Sequence, residues 1–140
     1  METKTKVKWT EELVLKVIRE CREAGTIASQ EKLEELTKAG PKYAVCSGSR
    51  TVGTMLDVCG FANIRLNSAR GKFFQLAKKM CKENREYRFN CSNAYNGGGY
   101  FNVYDTNRRQ EMSVNVASCK AVLKVLSGYG IEGYVESRID

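Results

Sequence analysis

Apolar residues in the first part of the chain recur with a helical period. Between Thr10 and Gly25 they fall every three or four positions, which is the spacing of one buried helix face. They are Leu13, Val14, Val17, Ile18 and Cys21. Thr10 is a suitable N-cap residue, and Gly25 is a suitable stop signal. We therefore predict a first helix over residues 10–25.

Two more helices are predicted before residue 66. The second begins at Ser29 and ends at the stop signal Gly40-Pro41. After a connection, a third helix is predicted from Ser49 to Gly60. Its inward-facing residues are Val52, Met55, Leu56 and Cys59. A short extended segment over residues 63–66 follows. The pattern indicates a helical first lobe over residues 1–66.

The second half of the chain mixes helical and strand periods. A helix capped by Ser68 is predicted to bury one face, and a second helix begins at Ser118 and ends at Gly128. The buried face of the earlier helix consists of Phe73, Leu76, Ala77 and Met80. Strand alternation predicts extended segments over residues 87–91, 100–104, 112–116 and 134–139. We predict an α+β fold in which an antiparallel three- to four-stranded sheet with packed helices occupies a second lobe, residues 67–140.

The first lobe resembles a winged helix-turn-helix over residues 10–66. Ser29–Leu36 resembles the supporting helix of that motif, and Ser49–Phe61 resembles its recognition helix. The resemblance implies contacts with DNA bases near the start of the recognition helix. The residues it assigns to these contacts are Arg50, Thr51 and Thr54. A purely structural three-helix lobe is the alternative interpretation.

The second lobe is similar in element order to a double-stranded-RNA-binding domain. The similarity covers residues 68–128, with helix, three strands and helix in succession. Leu76–Lys79 and Ser118–Ala121 stand where such a domain has its own helix motifs. This likeness implies RNA as a ligand of the second lobe.

Positive charge is concentrated in one short stretch. The net charge is +7, and residues 70–88 carry seven basic and two acidic residues. Lys78, Lys79 and Lys82 are predicted to point away from the apolar stripe of their helix. Such a basic face attracts polyanions, although a solvated helix face has the same composition.

Aromatic and basic residues also alternate near the predicted hairpin. Asn96–Gly99 is read as a hairpin turn, and Phe101 as a core residue. Tyr100 and Tyr104 are candidate base-stacking residues, because single strands bind proteins by stacking on aromatic rings. Arg108 and Arg109 follow as candidate phosphate contacts.

Cysteines and missing residue types restrict the chemistry that we expect. The chain has six cysteines, no C-x-x-C pair and no histidine. A structural zinc site usually takes its ligands in close pairs, and most nucleophiles are activated by histidine. We therefore expect reduced thiols and no metal, no cofactor and no catalytic activity.

The sequence points to an intracellular binding protein. We find no apolar run long enough to cross a bilayer and no signal-peptide pattern at the N-terminus. We expect a cytoplasmic, non-catalytic regulator that binds DNA or RNA. The alternatives are a small inhibitor or adaptor, of the kind that bacteriophages encode, that docks on a protein or nucleoprotein, and a nucleotide-sequestering protein.

Overall fold

The structure is a computed structural model that describes residues 7–41, 43–47, 50–55, 57, 59–83, 88–95, 97–103 and 111–139. It contains helices α1–α3 and strands β1–β6. In chain order these are α1 (Glu11–Ala39), β1 (Tyr43–Ser47), β2 (Arg50–Met55), β3 (Gly60–Leu66), α2 (Lys72–Glu83), β4 (Phe89–Asn93), β5 (Gly99–Val103), α3 (Met112–Gly128) and β6 (Gly133–Ile139). The prediction of an α+β fold is confirmed.

Four of the strands form one antiparallel sheet. Their order is β4-β5-β3-β6, so β3 and β5 are central. Strand β3 pairs along its whole length with β6, from Gly60 opposite Ile139 to Leu66 opposite Gly133. From β3 to β6 the elements follow the order β-α-β-β-α-β, which is that of the ferredoxin-like motif. Strands β1 and β2 form a separate hairpin.

The three helices pack on one face of the four-stranded sheet. Alternate residues of β3 and β5, such as Ile64 and Phe101, point into the core and are almost fully buried. One hydrophobic cluster joins them to all three helices. Its other members include Val14, Val17 and Ile18 of α1, Phe73, Phe74, Ala77 and Met80 of α2, and Val122 and Leu126 of α3. Residues from both predicted lobes therefore share this core.

The predicted boundary between residues 66 and 67 does not separate two cores. Strand β3 lies in the sheet of the proposed second lobe, where it pairs with β5 and β6. The strand at residues 63–66 was predicted to end a helical lobe. Instead it is part of a central strand, because the two strands that pair with its edges, β5 and β6, come later in the chain.

The first helix does not end at Gly25 but continues to Ala39. Gly25 is buried where α1 crosses α3, and a Cβ atom added there would lie 2.8 Å from Ser118 Oγ. The buried positions Cys21, Gly25 and Ser29 are four residues apart, so the apolar stripe continues through small residues. Here glycine permits close helix packing and does not end the helix.

The predicted third helix at residues 49–60 is wrong. Arg50–Met55 is strand β2, antiparallel to Tyr43–Ser47 with a register shift between Val45 and Cys46. The sequence of β2 includes Thr51, Val52 and Thr54, which are β-branched residues with a preference for strands. Arg50, Thr51 and Thr54 therefore lie on a hairpin strand, and the helix on which the winged-helix resemblance depended is absent from that segment.

The predicted strand at residues 112–116 is also wrong, because α3 begins at Met112. Val114, Ser118, Val122 and Leu126 are buried and spaced by four residues, which is one continuous helix face. Ser118 is thus inside the helix and does not cap it. In the described residues between α2 and α3 there are two strands, whereas the double-stranded-RNA-binding order has three. The predicted hairpin turn does join β4 and β5, with positive φ at Gly97 and Gly98.

Candidate functional site

The face of the four-stranded sheet opposite the helices is exposed and carries polar and aromatic side chains. We call it the open face. Its residues alternate with the core residues of each strand, as the two-residue period of a strand requires. They are Asn90 and Ser92 of β4, Tyr100 and Asn102 of β5, Phe61, Asn63 and Arg65 of β3, and Tyr134, Glu136 and Arg138 of β6.

One row of the open face crosses all four strands. Arg65 of β3 is opposite Tyr100 on one side and Tyr134 on the other, and Tyr100 is in turn opposite Ser92. Directly opposite side chains in an antiparallel sheet are close enough to interact. The register thus places one guanidinium between two tyrosines near the centre of the face.

Arg65 is held in a defined orientation. Its Nη1 donates to Glu136 Oε1 at 3.0 Å, and its Nη2 donates to the Gly97 carbonyl oxygen at 3.0 Å. Its Cζ atom lies 5.8 Å from the centroid of the Tyr100 ring. The hydrogen bond with Glu136 raises the pKa of Arg65, so the guanidinium stays charged. Its plane is therefore oriented before any ligand arrives.

Glu136 links the two central strands to β6. Besides its ion pair with Arg65, its Oε2 accepts a hydrogen bond from the Tyr100 hydroxyl at 3.4 Å. Tyr100 is half-buried, with its ring beneath Arg65 and its hydroxyl against Glu136. We therefore assign Tyr100 to supporting the arginine.

The open face has an exposed ring opposite Arg65, that of Tyr134, and another four residues from Arg65 along β3, that of Phe61. Phe61 is 56% exposed and Tyr134 is 47% exposed, so both rings present apolar surface to solvent. Phe61 is opposite Arg138, whose side chain is also exposed. A cleft of about 730 Å³ lies over this part of the sheet. Its lining includes Phe61, Asn63, Tyr100, Glu136 and Arg138.

The chemistry of the open face suits a flat, anionic, hydrogen-bonding ligand. Exposed rings and a guanidinium plane stack on planar groups. The amides of Asn63 and Asn102 offer donors and acceptors, although Asn102 Oδ1 already accepts from the Ile64 N–H at 3.2 Å. Among the described residues of this face, Glu136 pairs with Arg65, whereas the exposed Arg138 offers a positive charge to an anionic ligand.

The candidate residues of the basic helix lie elsewhere. Lys78, Lys79 and Lys82 are on α2, which packs on the opposite side of the sheet. As predicted, Lys79 and Lys82 are exposed and point away from the buried stripe. Lys79 Nζ is 3.5 Å from Glu11 and 3.9 Å from Glu83, so its charge is partly compensated. Lys78 donates to Asn93 Oδ1 at 3.2 Å.

The other candidates are either on a different sheet from Tyr100 or outside the described residues. Arg50, Thr51 and Thr54 are on the separate β1–β2 hairpin. Tyr104, Arg108 and Arg109 lie outside the described residues. Phe101 is fully buried, as predicted.

Sequence analysis missed most of the open face. The missed residues are Phe61, Asn63, Arg65, Tyr134, Glu136 and Arg138. Their signal was present in the sequence, because β3 and β6 each have an aromatic residue, a polar residue and an arginine at successive alternate positions. The strand β3 was nevertheless read as only four residues long, and the rings of two distant strands could not be placed on one face without the register.

The pKa values of two buried cysteine thiols are raised above the ordinary cysteine value. Burial and the neighbouring Glu20 carboxylate raise the pKa of Cys21 to about 12. Burial also raises the pKa of Cys91, and the nearby Cys81 thiol adds to this effect. Cys21, Cys81 and Cys91 form no disulfide in the structure.

Within the described ranges, no group of three or more histidine, cysteine or carboxylate side chains is arranged to hold a metal ion. Among the helices of that same part of the chain, none has the length and apolarity to cross a membrane.

Comparison of the chain with protein-family models, with curated proteins and with solved structures finds no match.

Proposed function

We propose that this protein is a non-catalytic regulator that binds single-stranded nucleic acid on its open face. The observation that carries the proposal is that two exposed rings, Phe61 and Tyr134, share the open face with the oriented guanidinium of Arg65. Each stacked base contributes about 1–3 kcal/mol, irrespective of its identity. A cytoplasmic location, as expected from the sequence, belongs to the same proposal.

The shape of the open face favours a single strand over a duplex. The major groove of DNA admits a helix or a two-stranded ribbon but not a broad, flat sheet. The bases of a duplex are also stacked on one another, so their faces cannot stack on the side chains of such a sheet. RNA-recognition modules use a four-stranded sheet with surface aromatic residues to stack unpaired bases. The likeness to those modules is one of architecture, and the exposed rings carry the argument.

Long-range electrostatics support the same ligand class. The chain has a net charge of +7 and an isoelectric point near 9.2, so it attracts polyanions before contact. On the open face we assign Arg65 to stacking and hydrogen bonding with a base. We assign Arg138 to the phosphate backbone, next to the ring of Phe61.

The experiment is a fluorescence-anisotropy titration with labelled single-stranded DNA, single-stranded RNA and duplex probes. We expect single strands to bind more tightly than duplexes, with affinity that falls steeply as salt increases. Phe61→Ala and Tyr134→Ala should each weaken binding by about 1–3 kcal/mol, roughly 5- to 150-fold. Both side chains are half exposed, so we expect folding to be little changed.

Tyr95→Ala is the matched control. Tyr95 is 99% exposed and lies in the turn between β4 and β5, outside the four strands that form the open face. Tyr95→Ala removes the same kind of ring and leaves the residues of the open face unchanged. Charge reversal at Lys79 and Lys82 tests the basic helix as a competing surface.

The proposal fails if Phe61 and Tyr134 can both be replaced without loss of affinity. A loss that occurs only on reversal at Lys79 and Lys82 would move the binding surface to α2. If no probe binds even at low salt, a protein-docking function becomes the leading alternative.

A further inference from the structure

The outer strand β6 has an exposed edge. It pairs with β3 on one side, and the sheet order places no described strand on its other side. Ser137, Arg138 and Ile139 are exposed, and Ile139 retains 63% of its surface accessible to solvent. An unpaired strand with accessible apolar residues is a ready template for pairing with another strand.

The backbone of β6 is oriented for such pairing. The Asn67 N–H donates to the Glu132 carbonyl oxygen at 3.0 Å, and β3 and β6 keep the same register through Leu66 and Gly133. Hydrogen-bonding direction alternates along an antiparallel ladder. Even-numbered residues therefore direct their backbone groups towards β3. Val135, Ser137 and Ile139 direct theirs to the free edge.

The sequence of this edge, Val-Glu-Ser-Arg-Ile at residues 135–139, is complementary to itself about Ser137. If two copies pair antiparallel with Ser137 on the two-fold axis, Glu136 lies opposite the partner subunit's Arg138, and this pair occurs twice. On the other face, Val135 lies opposite the partner's Ile139. Charged residues thus meet opposite charges and apolar residues meet apolar ones.

We propose that the protein self-associates through antiparallel pairing of β6 with β6 of a second copy. The pairing forms about six backbone hydrogen bonds, two for each of three residue pairs. It covers Ile139, whose exposure is otherwise unfavourable. The contact between two single strands is smaller than the roughly 1,000 Å² expected of a stable interface, so the dimer is weak and depends on concentration.

The dimer would also extend the proposed nucleic-acid-binding surface. The inference that the protein dimerises does not depend on the proposed function. Facing residues of paired strands lie on the same side, so the two open faces would form one continuous surface on an eight-stranded sheet. Arg138 of each copy would lie near the centre of this surface. A single strand that reached both faces would bind with avidity.

The decisive experiment is disulfide trapping of the full chain without nucleic acid. In a hydrogen-bonded pair the two Cα atoms at position 137 are about 5.5 Å apart, which is within disulfide range. Ser137→Cys should therefore give a covalent dimer under mild oxidation, at a level well above that of the unchanged chain with its own cysteines.

Ile139→Cys is the matched control. Position 139 is displaced by two residues from the axis in each copy, so its two Cα atoms are about 13 Å apart, too far for a disulfide. Since Ile139 is highly exposed, random collision would link Ile139→Cys at least as readily as Ser137→Cys. Equal cross-linking at the two positions, or none at position 137, would overturn the proposal.

Sedimentation velocity provides a second test that uses no cysteine. The unchanged chain should shift from monomer towards dimer as its concentration rises. In each of the two symmetric pairs, Arg138→Glu places a carboxylate opposite the partner's Glu136. This change should abolish the shift towards dimer, whereas Arg138→Lys should retain it. A chain that stays monomeric at all concentrations, or dimers that tolerate Arg138→Glu, would refute this pairing. Both measurements omit nucleic acid, so they can fail while the proposed function stands.

Discussion

Gly99 is a position where one added methyl group should destabilise the fold that supports the open face. It is the first residue of β5, opposite Leu66 of β3 and Asn93 of β4. A Cβ atom built on Gly99 would overlap Cζ and Cε2 of the Phe74 ring. Phe74 is 1% exposed, so its ring is packed inside the core. We predict that Gly99→Ala is destabilising.

The magnitude follows from two opposing terms. Overpacking a core of normal density costs about 1–3 kcal/mol. Replacing glycine by alanine restricts the unfolded chain and returns about 0.4–1 kcal/mol. The net loss should be about 1–2 kcal/mol. For a chain of this length it corresponds to a decrease of roughly 3–10 °C in Tm.

Thermal and urea unfolding, followed by circular dichroism, measure this loss. Gly71→Ala is the control, because a Cβ at Gly71 meets nothing within 4 Å and its φ is not in the left-handed region. That variant should stay within about 0.5 kcal/mol of the unchanged chain. Phe74→Leu in the Gly99→Ala background should relieve the overlap. The double variant should then be less destabilised than the sum of the single variants, by about 1 kcal/mol or more.

Strict additivity of the two changes would refute the reasoning, because it would mean that Phe74 does not stand over Gly99. An unchanged Tm in Gly99→Ala would refute it as well. The functional consequence can be checked in the same samples. Gly99 follows the turn whose Gly97 carbonyl group orients Arg65, so a displaced β5 should also weaken binding at the open face.

Two further predictions concern titratable groups. The Tyr129 hydroxyl donates to Glu20 Oε2 at 2.6 Å, and this hydrogen bond is the main cause that raises the pKa of Tyr129. Its stabilisation should be fully present below the ordinary tyrosine pKa of about 10 and should be lost as pH rises through the raised value. The difference in Tm between the unchanged chain and Tyr129→Phe should therefore be about constant near neutral pH and shrink in alkali, and a constant difference throughout would contradict it. Burial and raised pKa values should also protect Cys21 and Cys91 from alkylation in the native protein at neutral pH, and mass spectrometry after denaturation should show both modified. Rapid labelling of either residue in the folded chain would contradict the assigned burial.

Residue period and capping residues were enough to predict part of the local structure. The sequence predicted the start of α1 at Thr10, whose hydroxyl accepts the Leu13 N–H at 3.2 Å. The sequence also predicted three of the four buried residues of α2, Phe73, Ala77 and Met80, and the β4–β5 hairpin with its glycine turn. These features follow from contacts between residues close in the chain, for which propensity and periodicity are sufficient.

Tertiary structure decided the features that depend on distant neighbours. Gly25 has the sequence character of a helix stop, yet it lies inside α1 because α3 fits closely against a residue without a side chain. Met112–Val116 alternates like a strand, yet it is helical because Val114, Ser118, Val122 and Leu126 share one buried face. In both cases packing energy outweighed a local preference of about 1 kcal/mol.

The candidate site depends on tertiary structure most of all. Arg65, Tyr100 and Glu136 come from three strands far apart in the chain, and only the register of β3 with β5 and β6 brings them together. Tyr100 could be singled out from the sequence as an aromatic residue on a strand, but its neighbours could not. The two-residue period of a strand tells which of its residues share a face. The order of strands in a sheet depends on which buried faces can pack together, and that packing involves residues from the whole chain.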